Sequence, residues 1–270
     1  MSDYHNSDYQ KILFEMDGDV AIITMNDPAT MNACGMDTAA ELLSAFDRAS
    51  TTARAIIMTG SGRGFCSGAN LGAPAMTDDG PGSKTRDAGA GLESTYNPLV
   101  SKIRDLPIPF ITAVNGAAAG IGCSFALLGD MILASESAYF LQAFRRIGLV
   151  PDGGSTYMLT RAVGRARAME MMLLGEKIPA RQALEWGLIN RVIAPDTLLS
   201  EAKILAHGLA SGPTKTLSLI RKMAWAGLDN NWEEQLALER ATQREAGRTK
   251  DFKIGVLAFL NKQVARFTGG

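Results

Sequence analysis

Short apolar runs separated by turn residues dominate the first half of the chain. Ile12 to Met16 is apolar and β-prone, Asp17-Gly18-Asp19 marks a turn, and Val20 to Met25 reads as a second strand. Asn26-Asp27-Pro28 ends it. The period then changes: Met36, Ala39, Ala40, Leu43 and Phe46 recur at helical spacing as far as Arg48. Ala55 to Thr59 suits a buried strand and is closed by Gly60-Ser61-Gly62. A helix is expected over Leu92 to Leu106, stopping before Pro107. Phe110 to Val114, Met131 to Ala134 and Tyr139 to Leu141 read as further strands. Gly116 to Leu128 is small and apolar, with Gly120 and Gly122 inside it. Repeated strand, loop and helix segments predict an α/β fold around a buried sheet.

From Ser155 onward the strand signal fades. Helices are expected near Ser155 to Ala162, Ala166 to Leu174, Ala180 to Trp186, Asp196 to Ser211, Pro213 to Ala226 and Asn231 to Glu245. Leu188 to Ile193 is the one strand expected there. This divides the chain into a core over residues 1–200 and a helical region over 201–270. Residues Gly72 to Gly91 are rich in Gly, Ala, Asp, Ser and Thr, and read as an irregular insertion bordering a pocket.

Composition narrows the function classes. Of 270 residues, 46% are hydrophobic and 20% charged, which fits a globular protein rather than a disordered one. Lys and Arg number 27 against 28 Asp and Glu, so nucleic acid is not the expected partner. Cys34, Cys66 and Cys123 form no CxxC pair, and His5 and His207 lie far apart. A disulfide framework and a His/Cys zinc cage are therefore not expected. The polar start, and the Asn, Gly and Asp that interrupt Phe110 to Ala134, suggest no leader or membrane span and a cytoplasmic location.

The common hydrolase, nucleotide and zinc-protease signatures are absent: GxSxG, GxxxxGK[ST] and HExxH do not occur. Two glycine-bearing segments follow strands instead, Gly64 to Leu71 and Val114 to Cys123. Small residues permit tight turns and close helix packing. They also allow a loop to aim a backbone N–H into a cleft, and two such donors make an oxyanion hole without any side chain.

Taken together in order, these segments resemble the crotonase, or enoyl-CoA hydratase/isomerase, superfamily. The resemblance rests on Asp27-Pro28 with Met31-Asn32-Ala33, on Gly64 to Leu71, on Ala113 to Asp130 and on Gly148 to Gly154. Gly164 to Ala168, Ala183 to Leu188 and Phe259 to Lys262 extend it. It implies a spiral of ββα units with a helical C-terminal trimerisation region, giving a homotrimer or a dimer of trimers. It also implies an acyl-CoA thioester substrate, with coenzyme A part of that substrate and no separate cofactor. The implied oxyanion donors are the N–H groups of Ala69 and Ile121. Implied substrate contacts are Met31, Ala33, Ser67, Asn70, Leu71, Tyr96, Ser124, Phe144 and Val150. Lys262 matches a C-terminal lysine placed near the CoA phosphates, often those of a neighbouring subunit.

Two positions depart from the family's hydratases. Those enzymes use two glutamates, and the matching positions here hold Ser124 and Phe144. Neither can serve unaided as a base at neutral pH. One carboxylate remains nearby, Asp152 in Val150-Pro151-Asp152-Gly153-Gly154. By itself Pro-Asp-Gly is an ordinary turn. Several isomerases of the superfamily carry an aspartate here and use it to move a proton, so the resemblance implies that role for Asp152. Tyr96-Asn97-Pro98-Leu99-Val100 further resembles the phenylacetate-pathway isomerases of ring acyl-CoA thioesters. The expected activity is acyl-CoA isomerisation. The alternatives are hydration, attack by Asp152 as in the superfamily's dehalogenases, and acyl-CoA binding without catalysis.

Overall fold

A computed structural model describes residues 9–70 and 87–270. Strand β1 (Ile12–Asp17) and strand β2 (Val20–Met25) form an antiparallel hairpin, with Ile12 opposite Met25 and Asp17 opposite Val20. Gly18 takes φ +59° in the tight connection, a value that a glycine reaches without strain. Strands β3 (Ala55–Gly60), β5 (Phe110–Val114), β7 (Met131–Ser135) and β10 (Arg191–Ile193) then add in parallel, giving the order β1-β2-β3-β5-β7-β10. Every residue of β5 is buried, as expected for a strand covered on both faces.

A second sheet of four short strands runs β4 (Gly64–Cys66), β6 (Ala117–Ala119), β8 (Tyr139–Leu141) and β9 (Ile178–Pro179). Consecutive strands alternate between the sheets: β3 then β4, β5 then β6, β7 then β8. This alternation is the expected ββα spiral. Of the small sheet, the sequence pattern marks only β8, whose Tyr139, Phe140 and Leu141 are large and β-prone, whereas β6 is three alanines, β4 begins at Gly64 and β9 has two residues.

Helix α1 (Met36–Thr52) closes the first turn of the spiral. Its buried face is Ala39, Leu42, Ala45, Phe46 and Ala49, so Met36 and Ala40, expected on that face, are exposed instead. Phe46 meets Phe110 edge-on at 5.4 Å, and this contact sets the rotation of the helix. The expected helix over Leu92 to Leu106 is a π-helical turn at Leu92–Tyr96 followed by α2 (Asn97–Arg104). Helix α3 (Ile121–Leu127) is buried throughout.

The remaining helices are α4 (Ser155–Ala162), α5 (Gly164–Leu174), α6 (Ala180–Glu185), α7 (Leu198–Ala210), α8 (Thr214–Ala226), α9 (Trp232–Ala246) and α10 (Lys250–Leu260). Leu198, Ala202, Ala206 and Ala210 of α7 line one helix face and pack on Val20, Ile57 and Ile111 of the large sheet. Helix α7 therefore belongs to the core and crosses the boundary expected at residue 200. Arg221 of α8 reaches Asp130 and the carbonyl of Leu106, which fixes α8 to the spiral. Helix α9 starts at a capping box, where Asn231 and Glu234 satisfy each other's backbone N–H at 2.9 and 3.0 Å. Among the described residues, no helix is long and apolar enough to cross a membrane.

Candidate active site

The parallel pairing of β4 with β6 brings the loops after them side by side. Gly68 has φ +115° and Gly120 has φ +54°, ψ −127°, conformations that L side chains rarely adopt. A Cβ on Gly120 would sit 3.7 Å from the Gly68 Cα, and one on Gly68 would sit 3.2 Å from the Ala119 carbonyl oxygen. Ala69 and Ile121 follow these two glycines directly. Ile121 opens α3, so its N–H has no acceptor within the helix. Among the described residues, neither N–H donates a hydrogen bond. The segment carrying Ala69 is held by Cys34, whose N–H donates to Gly68 O at 2.7 Å and whose carbonyl accepts from the Asn70 N–H at 3.2 Å.

Asp152 lies on the turn before α4, and that turn docks on α3. Gly153 takes φ +60°, and a Cβ there would come within 2.3 Å of Ile121 Cδ1 and 2.9 Å of Ser124 Cβ. Only glycine lets the turn approach so closely. The Asp152 carbonyl accepts from Ser124 Oγ at 3.0 Å, from Ser155 Oγ at 2.8 Å and from the Ser155 N–H at 3.1 Å. Its carboxyl is not similarly served: Oδ1 is buried without a hydrogen-bond partner among the described residues. Burial alone pushes the Asp152 pKa up to about 6, which places a proton acceptor and donor near neutral pH.

The other expected site residues divide into groups. Phe144 is buried, with its ring end 3.8 Å from where a Cβ on Gly120 would lie, so it lines the second loop. Ile121, Ser124, Phe144 and Asp152 therefore form one cluster. Tyr96 is buried and donates to the Cys34 carbonyl at 2.7 Å, tying the π-helical turn to the first loop. Burial raises its pKa, with the neighbouring Cys34, Cys66 and Asp152 adding to the shift. On the Met31 side, Ser67 donates its N–H to Met31 O at 3.0 Å and its hydroxyl to Thr30 O at 2.9 Å. Met31, Ala33, Ser67 and Asn70 thus line one continuous edge beside Ala69.

Three expectations fall elsewhere. Val150, an expected substrate contact, is 79% exposed and stands apart from the buried cluster. Lys262 is an exposed residue with φ +54° just beyond α10, and among the described residues no hydrogen bond or ion pair joins it to the cluster. Leu71 and most of the expected insertion lie outside the described residues. Cys66 and Cys123 are fully buried, and burial pushes both thiols up to about 12, so they are packing groups rather than nucleophiles. Among the described residues, no group of three His, Cys, Asp or Glu is placed to hold a metal ion.

Sequence reasoning missed the seating of Gly153 on Ile121 and Ser124. The only signal was the Gly-Gly pair after Asp152, which reads equally well as a plain turn.

Comparison with known proteins decides the family. Residues 15–270 match the enoyl-CoA hydratase/isomerase family. The chain belongs to that family. It is 42% identical over 260 residues to the 1,2-epoxyphenylacetyl-CoA isomerase of Escherichia coli K12, covering 96% of this chain and 98% of that one. It is 44% identical over 261 residues to a probable enoyl-CoA hydratase of Rhodobacter capsulatus, covering 97% and 99%. A solved enoyl-CoA hydratase subunit I from Geobacillus kaustophilus superposes with a TM-score of 0.90 at 31% identity, covering 98% and 100%. The spiral described above is thus the crotonase fold, and the family acts on acyl-CoA thioesters.

Proposed function

We propose that this protein is an acyl-CoA isomerase that moves a double bond by proton transfer through a thioester enolate. The observation that carries the reading is the partly buried Asp152 carboxyl on a turn seated against α3, the helix that opens at Ile121, with Ser124 and Phe144 where two-glutamate hydratases carry acids. A thioester acidifies the carbon next to its carbonyl. The Asp152 carboxylate takes a proton there or at the vinylogous carbon, and the electron pair moves onto the thioester oxygen. The two N–H groups stabilise that oxygen, and loss of one such donor typically costs ~10²–10³ in rate. Asp152, now neutral, returns the proton at the other carbon and the carbonyl reforms. Nothing is added or lost, so substrate and product share one mass.

The acyl group we assign is an unsaturated ring acid. The segment from Tyr96 to Val100 and the likeness to the E. coli isomerase support it. The likeness to the R. capsulatus protein favours hydration as a second reading. Mass spectrometry of enoyl-, dienoyl- and ring-acyl-CoA thioesters separates the two, because hydration adds the mass of water. Isomerised product at unchanged mass supports the proposal. Hydrated product, or binding with no turnover, refutes it.

A further inference from the structure

Resting on the reading of Asp152 as the base, we infer that Ser124 is a positioning residue that holds the Asp152 turn against α3. Ser124 occupies a hydratase glutamate position, yet it is fully buried and its hydroxyl is committed. Its Oγ donates to the Asp152 carbonyl at 3.0 Å, across 28 residues of sequence. The other two donors to that carbonyl, the Ser155 N–H and Oγ, come from the same turn as Asp152. Ser124 is therefore the group that ties the turn to the helix bearing the Ile121 N–H. Gly153 packs at the same place, where a Cβ would be 3.0 Å from Ser124 Oγ. The base and one oxyanion donor are held in register through a single side chain.

The arrangement also explains why a glutamate is foreign at this position in this chain. A carboxylate on α3 here would be fully buried, would lose the donor to Asp152 and would press on the Gly153 turn. The two-glutamate site and the seated aspartate turn compete for one space.

The groups around Asp152 keep the test readable. Tyr96 faces it from the π-helical turn, and the charge of Asp152 raises the Tyr96 pKa. Burial is the sole cause of the Asp152 shift. Loosening the turn admits water, so the midpoint for ionising the base must fall toward an ordinary carboxylate.

The experiment follows deuterium uptake from D2O into an enoyl-CoA thioester against pH, for the wild type, Ser124→Ala and Asp152→Asn. Affinity and melting temperature are measured alongside. For Ser124→Ala, we expect kcat to fall about 10- to 100-fold, as misplacement of a catalytic group does, with KM nearly unchanged. We also expect the acid-limb midpoint to drop below that of the wild type. Wild-type kcat and midpoint in Ser124→Ala, with Asp152→Asn inactive, overturn the positioning role and leave the base intact. Full exchange by Asp152→Asn overturns the base reading, and the positioning role falls with it.

Discussion

Gly68 and Gly120 lie against each other, each with positive φ and each immediately before a residue expected to supply an oxyanion N–H, Ala69 and Ile121. The contact couples the positions of the expected donors Ala69 and Ile121, because neither loop can shift without the other. Gly68→Ala is expected to cost about 1–3 kcal/mol of stability from backbone strain. It also pushes a methyl toward the Ala119 carbonyl, 3.2 Å away, and so displaces the Ala69 N–H. Turnover should fall by ~10²–10³, as for a lost oxyanion donor. Urea denaturation and steady-state kinetics test the two effects separately. Undiminished turnover would remove the first loop from the oxyanion site.

Asp152 carries a rate prediction. With its pKa pushed up to about 6 by burial, the base is half ionised near that pH in the free enzyme. Isomerisation measured as kcat/KM should rise with pH, pass its midpoint near 6 and level off above it. Asp152→Asn should lose the limb and ~10²–10⁴ of the rate while binding the thioester with similar affinity. Calorimetry with the substrate on the inactive variant checks the affinity. A limb that survives in Asp152→Asn would belong to another group.

The same residue carries a stability prediction of opposite sense. A carboxyl whose folded pKa lies above its unfolded value of 3.8 favours folding most below that value. As pH rises from about 4 to about 6 that contribution is lost, and above 6 the loss is complete. Asp152→Asn has no charge to bury. It should melt higher than the wild type at pH 7.5, and the difference should vanish by pH 4. Thermal melts at the two pH values provide the comparison. A wild type more stable at both would show that the carboxylate has partners in solution.

What the sequence discloses follows from length and burial. β3 and β5 are buried on both faces and read as continuous apolar runs, so they are visible without help. β6 is three alanines, β4 begins at Gly64 and β9 has two residues, so none stands out as β8 does with its aromatic pair, although β4 and β6 bring the two loops together. The rotation of α1 was misread because Leu42 and Leu43 are both apolar, and only contact with the sheet selects Leu42. Helix α10 went unread for a different reason: its one buried residue is Asp251, so it has no apolar stripe facing its own core. Asp152 stands out in the sequence only through the family resemblance. The contact of Ser124 with it does not stand out at all, because that contact is made in space across 28 residues.

Arg221 joins the helical region to the spiral. Its side chain is 6% exposed, and it pairs with Asp130 while donating to the Leu106 carbonyl. Burial raises the Asp130 pKa, and the Arg221 charge opposes that rise. Arg221→Ala leaves the partly exposed Asp130 carboxylate with only the Phe110 N–H among the described residues and orphans the Leu106 carbonyl. Breaking a fully buried pair costs about 3–5 kcal/mol, and the 24% exposure of Asp130 places this loss below that range. Arg221→Ala with Asp130→Asn should recover part of it, since the stranded charge is gone. Chemical denaturation of the two variants gives the numbers. Equal losses in the single and double variants would mean that the hydrogen bonds, not the charge, dominate.

Helix α10 leaves Phe252, Leu257, Phe259 and Leu260 largely exposed, with Phe259 at 83%. The chain end is nevertheless fixed against it: the Asp251 carboxylate accepts from the Thr268 N–H at 2.7 Å and the Gly269 N–H at 2.8 Å. A groove of about 530 Å³ runs between this helix and the folded-back end, lined by Phe252, Val256, Phe259, Leu260 and Phe267. An ordered apolar surface of this kind marks an interaction site. The homotrimer, or dimer of trimers, that the family resemblance implies would cover this surface and deliver Lys262 to a neighbouring subunit's substrate. Light scattering of dilute protein should therefore show three or six copies. Phe259→Lys with Leu260→Lys should dissociate the assembly, because charges cannot be buried unpaired there. It should weaken acyl-CoA binding at the same time, while Lys262→Ala should weaken binding and leave the assembly intact. A wild-type monomer that binds and turns over acyl-CoA normally would defeat both the assembly and the shared lysine.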